Sequence, residues 1–192
     1  MHRHPEALLI VAALVLAGCA GAEPVPEAAE PSGQELDASD PTILRRPFTA
    51  EEIRDEWTVG LTLKIASTTL EGETVERWTV VAADDEGADI EYVMLDAEDN
   101  AIGEPRVEHA GWIELRDHAS FLAASSRRKE VTRDTALGRL DGWLYTVEEA
   151  NGDNVTEFFF AKSLPGAPVH VRMARGDELL MEMRQLERSR PE

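Results

Sequence analysis

Few side chains in this 192-residue chain are of a type and spacing that could do chemistry, and the first of them is Cys19. It is the only cysteine, and it closes the run Leu16-Ala17-Gly18-Cys19 behind an apolar stretch from Ala7 to Ala17 and a short start that carries Arg3. Small residues before a thiol let a peptidase bind a narrow, extended segment. The thiol is then free to take a diacylglyceryl thioether. The apolar stretch suits a cleavable secretory segment and is too short to span a bilayer. With no second cysteine, no internal disulfide can form, and a lipidated Cys19 is lost to redox or metal chemistry.

The other reactive types do not combine. After cleavage the histidines are His109, His118 and His170, in a loop or edge, a helix and the polar face of a strand, with no spacing that converges on a zinc ion. The acidic run Asp96-Ala97-Glu98-Asp99-Asn100 resembles the start of a calcium loop, but Ala101 and Val107 stand where such a loop needs glycine and glutamate. A solvated hairpin turn accounts for it. There is no Gly-x-Ser-x-Gly elbow and no glycine-rich phosphate loop after a strand, and the paired Asp84-Asp85 sits in a turn with no sign of the burial that raises a catalytic carboxyl. Arg175-Gly176-Asp177 is turn chemistry. The reading is therefore of a protein that is not an enzyme, with no catalytic residue, no metal site and no cofactor.

Composition sets the compartment and excludes partners. The formal net charge is −19, which repels nucleic acid and anionic surfaces. Residues 1–18 form a bacterial lipoprotein signal peptide. Residues 19–47 are the lipidated N-terminus and a tether rich in Pro, Glu and Ala, without aromatic residues or periodicity, able to hold a domain on the order of 30 Å from the membrane as a coil. Residues 48–187 form the domain, and 188–192 a short tail. Ala20, rather than the aspartate that resembles an inner-membrane retention signal, follows Cys19, which favours the outer membrane, facing the periplasm. The membrane is reached through the N-terminal lipid alone.

The domain must be built from strands. Thr49-Ala50-Glu51-Glu52 is a capping box that starts a short helix ending near Glu56. Trp57, Val59, Leu61, Leu63 and Ile65 then alternate with polar residues as in a strand with one dry face. Polar turns lead to strands over Thr74 to Ala83 and Ile90 to Leu95. Trp112, Leu115, Ala119 and Leu122 recur at helical spacing, predicting a helix over Gly111 to Ala123. Five strands follow, over Glu130 to Ala136, Gly142 to Glu149, Val155 to Lys162, Pro168 to Ala174 and Glu178 to Leu186. The fold class is mainly β (α+β). One large curved antiparallel sheet of about eight strands is expected, a half-barrel with two helices on its concave side, because connections this short exclude parallel crossovers.

The order of these elements, with Leu137-Gly138-Arg139-Leu140-Asp141-Gly142-Trp143-Leu144-Tyr145 before an aromatic strand and the Pro165-Gly166-Ala167-Pro168 turn after Phe158-Phe159-Phe160-Ala161-Lys162, resembles the half-barrel lipoprotein carrier and receptor superfamily of outer-membrane lipoprotein sorting. The resemblance runs from about Phe48 to Glu187. It implies an apolar cavity that shelters acyl chains. The side chains that could line one are Trp57, Trp78, Trp112, Trp143, Phe158, Phe160, Met173, Met181 and Met183, since rings and thioethers adapt to flexible chains; the same residues would serve as ordinary core. The expected function is non-catalytic binding or carriage of a lipid or other apolar ligand. The alternative is an envelope interaction module that binds a protein or polymer through its acidic surface.

Overall fold

A computed structural model describes residues 34–149 and 152–190. The signal peptide, Cys19 and the tether as far as residue 33 lie outside the described residues, as do the last two positions.

Two antiparallel meanders make one sheet. The first holds β1 (Thr62–Thr69), β2 (Gly72–Ala83), β3 (Gly87–Leu95) and β4 (Ala101–Gly111), and the second β5 (Ser126–Thr135), β6 (Gly138–Glu148), β7 (Asn154–Ala161), β8 (His170–Arg175) and β9 (Glu178–Ser189). They are welded where β1 pairs with β9, from Thr62↔Ser189 to Thr69↔Met181 with a bulge at Lys64/Ile65. The order is β4-β3-β2-β1-β9-β8-β7-β6-β5, so β4 and β5 are free edges and the sheet is not closed. Two helices, α1 (Ala50–Glu56) and α2 (Trp112–Asp117), precede the first meander and link it to the second.

The capping box forms as its residues require. The Glu52 amide donates to Thr49 Oγ1 at 3.1 Å, and the Thr49 amide donates to Glu52 Oε2 at 2.7 Å. The chain leaves the helix at Trp57 and turns at Gly60, whose φ of 89° only glycine adopts freely. The strand pattern that seems to begin at Trp57 therefore starts at Thr62. Trp57 is instead a core side chain at the end of α1, 2% exposed, with its indole N–H donating to the Pro165 carbonyl at 3.0 Å.

Two further elements depart from the sequence pattern. Strand β4 has no predicted counterpart and brings the count to nine. It is an edge strand with most residues exposed, and it holds Gly103, Pro105 and three charges, so no apolar alternation marks it. The acidic run before it is a turn: Asp96 Oδ1 accepts from the amides of Glu98 and Asn100 at 3.0 and 2.8 Å. Helix α2 stops at Asp117 rather than running to Ala123. Its continuation is drawn into pairing with the N-terminal segment, since the Leu44 amide donates to the Phe121 carbonyl at 2.8 Å and the Ala123 amide to the Thr42 carbonyl at 2.9 Å. A helical backbone cannot make those bonds.

The N-terminal segment extends the domain beyond its expected start. Residues 34–47, assigned above to the tether, cross the helix-bearing face of the sheet. Leu44 is 0% exposed, and Ile43, Pro47 and Phe48 are buried. At the other end β9 continues to Ser189, past the expected limit at 187. The main core thus joins Leu44, Phe48, α1 and α2 to one face of the sheet through Leu63, Ile65, Val80, Ile90, Tyr145 and Phe160. A second cluster on the opposite face holds Leu144, Phe159, Ala161 and Val169.

Leu44→Ala should destabilise the full chain by about 2–5 kcal/mol, as loss of a fully buried leucine does; a change below about 0.5 kcal/mol in urea unfolding would place residues 34–47 outside the cooperative unit. Gly166 has φ 112°, and a Cβ on it would lie 2.0 Å from Trp57 Nε1. Gly166→Ala is expected to cost several kcal/mol through combined strain and overpacking, read as a fall in the urea midpoint without a change in slope.

Candidate binding face

The sheet presents two faces of opposite character. The inner face, which carries the helices, can be followed row by row through the registers. One row is Arg128, Tyr145, Phe158, Val171, Met183, Ser67 and Thr74. Two residues further along each strand, and therefore on the same side, lies a second row of Ser126, Val147, Thr156, Met173, Met181 and Thr69.

The nine residues proposed to line a cavity divide between these parts of the face. Trp57, Trp112 and Phe160, at 2%, 5% and 4% exposure, are core members, and Trp78, Trp143, Phe158 and Met183 are half-buried and pack against that core. Their rings touch protein on all sides the structure records. Phe48 meets Trp143 edge-on at 5.7 Å and Phe160 at 6.3 Å, and Trp78 meets Tyr92 at 5.2 Å. The Trp112 indole donates to the Asp84 carbonyl at 2.9 Å and that of Trp78 to Glu76 Oε2 at 3.0 Å. Met173 and Met181 stand apart: both are half-buried, adjacent in register, and members of neither apolar cluster. The aromatic set is thus brought together as packed core, and among the described residues the two methionines beyond it join neither cluster.

That cover includes residues the sequence pattern did not single out. Phe121 stacks at 4.9 Å on both Tyr145 and Phe158, and the Tyr145 hydroxyl donates to the Arg45 carbonyl at 2.5 Å. Burial pushes the Tyr145 phenol up to about 12. The segment over it is clamped by charge. Arg46 lies 3.0 Å from Asp37 and 3.3 Å from Asp117, and Glu35 pairs with both Arg45 and Arg128, the latter at 2.9 Å. Arg128 in turn stacks over Trp143 at 5.0 Å. The Ser39 hydroxyl and amide, and then Arg46, hold the Asp37 carboxyl well below the usual carboxylate range. Only the pair Ile43-Leu44 hinted at this segment in the sequence.

The outer face is a charged surface. A chain of contacts runs across it from Glu157 to Arg133 at 3.3 Å, from Arg133 to His170 Nδ1 at 3.4 Å, from His170 Nε2 to Glu182 at 2.9 Å, and from Arg184 to Glu182 and Glu73 at 3.5 and 3.2 Å. His109 on β4 meets Asp89 at 2.9 Å, and that carboxylate raises its pKa. His118 is exposed at the end of α2. Among the described residues no group of three or more His, Cys, Asp or Glu side chains is arranged to hold a metal ion. Two surface clefts are present, one of about 120 Å³ around Lys64, Arg77, Asp99 and Glu187, and one of about 290 Å³ around Glu56, Ser163, Arg188 and Arg190. Neither is lined by any of the nine predicted residues. No described helix is long and apolar enough to cross a membrane.

No protein-family profile matches this sequence, and no curated protein does. Solved structures do share its fold at low identity. MucB is similar with a TM-score of 0.53 and 11% identity, over 73% of this chain and 56% of that one. MucB in the Pseudomonas aeruginosa MucA/MucB complex gives 0.50 and 13%, over 74% and 56%. A Vibrio parahaemolyticus domain named for outer-membrane lipoprotein sorting gives 0.27 and 8%, over 73% and 88%. The likeness is one of fold, and this chain matches little more than half the length of MucB.

The clamp has a defined response to acid. Because the Asp37 pKa is lowered in the folded state, its contribution is fully present above the ordinary carboxylate value and is lost as pH falls below about 4 toward the lowered folded value. Asp37→Asn should cost about 1.5–3 kcal/mol at neutral pH and should flatten the acid-induced rise in Leu44 amide exchange. An unchanged acid profile in the variant would mean that other carboxylates govern the segment.

Proposed function

We propose that this chain is a lipid-anchored protein of the bacterial envelope whose β domain binds a ligand and catalyses nothing, and that the ligand is an apolar chain laid along Met173 and Met181. The anchor is Cys19, acylated in the outer membrane with the domain facing the periplasm. The reading is supported by the signal sequence, by the tether, and by a fold shared with MucB. One observation carries the ligand assignment. Beyond the main core, the inner-face row mixes the hydroxyls of Ser126, Thr156 and Thr69 with apolar side chains, and Met173 and Met181 lie adjacent and half-buried in it, outside both apolar clusters.

Those side chains suit a flexible partner such as an acyl chain, because thioethers adapt their shape at low cost. Completing the burial of the two, already half-buried, contributes at most about 3–6 kcal/mol together, part of which is offset by the ordering of both partners, so these two side chains by themselves support affinity in the millimolar range. A protein partner is the second reading. It is favoured by the net charge of −19 and by the presence of MucB, of like fold, in a complex with MucA.

Labelled palmitate should enter the full chain expressed in a bacterium and be absent from Cys19→Ala; equal labelling of the two would remove the anchor from the proposal. Met181→Glu should weaken uptake of a fluorescent fatty acid at least tenfold while leaving the urea midpoint within about 0.5 kcal/mol of the parent. If neither protein takes up the probe, and salt-sensitive capture recovers a defined envelope protein instead, the second reading stands in place of the first.

A further inference from the structure

The cleft of about 290 Å³ lies where the end of α1 meets the last residues of β9 and the loop after β7. It is lined by Glu56, Ser163, Leu164, Arg188, Ser189 and Arg190. Arg188 has only 7% of its side chain exposed, yet it is not satisfied. Its Nη2 donates to Glu56 Oε1 at 2.8 Å and to the Pro165 carbonyl at 3.3 Å, while its Nε and Nη1 are buried with no hydrogen-bond partner among the described residues. Buried guanidinium nitrogens without acceptors are rare, because such donors lose water and gain nothing. Burial lowers the Arg188 pKa, and the hydrogen bond and charge of Glu56 oppose it.

Glu56 must also serve a second cation. Arg190, half exposed, pairs with its other carboxylate oxygen. Two guanidinium groups therefore share one carboxylate, an excess of one positive charge among the described residues that line the cleft, in a chain whose net charge is −19. The Ser163 hydroxyl on the same wall supplies a further donor. The volume is roughly ten times the ~30 Å³ share of a liquid water, so the space takes a tetrahedral group with a substituent.

We infer that this cleft is an oxyanion site for a monoanionic phosphate group, held between the Arg188 and Arg190 guanidinium groups with Ser163 as an additional donor. The fork of donors on each guanidinium matches phosphate geometry. A single negative charge balances the site. A phosphodiester, whether free or in a lipid headgroup, has that charge at every physiological pH. Nothing in this site depends on the methionine row, so the two proposals stand or fall separately.

The test uses the full chain with Cys19→Ala, so that its own lipid does not hold it on vesicles. Titrations with dimethyl phosphate, inorganic phosphate and acetate are followed by isothermal calorimetry at low salt. Saturable binding of dimethyl phosphate in the millimolar range or tighter, weaker binding of acetate, and at least a tenfold loss in Arg190→Gln are expected. Arg190 is half exposed, so this variant should fold; Ser163→Ala, with a few-fold loss, is a second probe, and Arg188→Gln is secondary because its packing supports the fold. Phosphatidylglycerol vesicles distinguish the source. Arg190-dependent vesicle binding that dimethyl phosphate competes away assigns a lipid headgroup, and binding of the soluble esters alone assigns a free phosphate. Absence of saturable binding of both phosphates, or binding unchanged in Arg190→Gln, overturns the site.

Discussion

An open sheet cannot bury its own inner face, and the rest of this structure follows from that. Nine strands in one layer leave two edges and two broad faces, and the apolar inner face must be kept from water by something other than another sheet. No internal disulfide is available to help, because the chain has one cysteine. The cover is assembled from three short pieces: residues 34–48, helix α1 and helix α2 with the loop that follows it. None of them is long enough to be stable alone. They hold because Leu44, Trp57, Trp112 and Phe121 insert into one continuous core with the sheet. The hydrogen bonds of Leu44 and Ala123 tie the first piece to the third.

This arrangement decides where a ligand can go. The end of the inner face under the cover is filled by aromatic side chains that belong to the protein itself. Beyond its reach Met173 and Met181 are half-buried and belong to neither apolar cluster.

Charge plays a different part on each side of the sheet. On the inner side a few half-buried or buried arginines act as mechanical ties: Arg46 to two carboxylates, Arg128 to Glu35 and two rings, Arg188 to Glu56. On the outer side, half-buried pairs such as Arg133–Glu157 and His170–Glu182 run across neighbouring strands to the exposed pair Arg184–Glu73, and the exposed one contributes little by itself. The edge strand β5 carries Arg127, Arg128, Lys129 and Arg133 beside Glu130 and Asp134, charges that keep an open edge from pairing with other chains. The edge strand β4, with Pro105 and its charges, is built for the same purpose.

The sequence alone determined the class of the fold, the capping box at Thr49 and the antiparallel meanders, because each is written in residues that lie close together. Alternation along a strand, a cap three residues from its partner and a turn at Asp96 need no distant contact to be read. The same is true of the negative findings, since a nucleophile elbow or a zinc motif is also local. What only the tertiary structure decided are the features whose cause lies far along the chain. Helix α2 ends early because residues 42–44 take its continuation as a pairing partner. Trp57 leaves the strand because the Pro165 carbonyl, 108 residues away, receives its indole N–H. The aromatic residues were legible as one apolar set, but whether they enclosed a ligand or each other depended on a fifteen-residue stretch, 34–48, whose composition resembles a linker and whose two buried aliphatic residues acquire meaning only against Phe121 and Tyr145. The unsatisfied Arg188 has the same origin, since a charge becomes a site only when the fold buries it and withholds an acceptor.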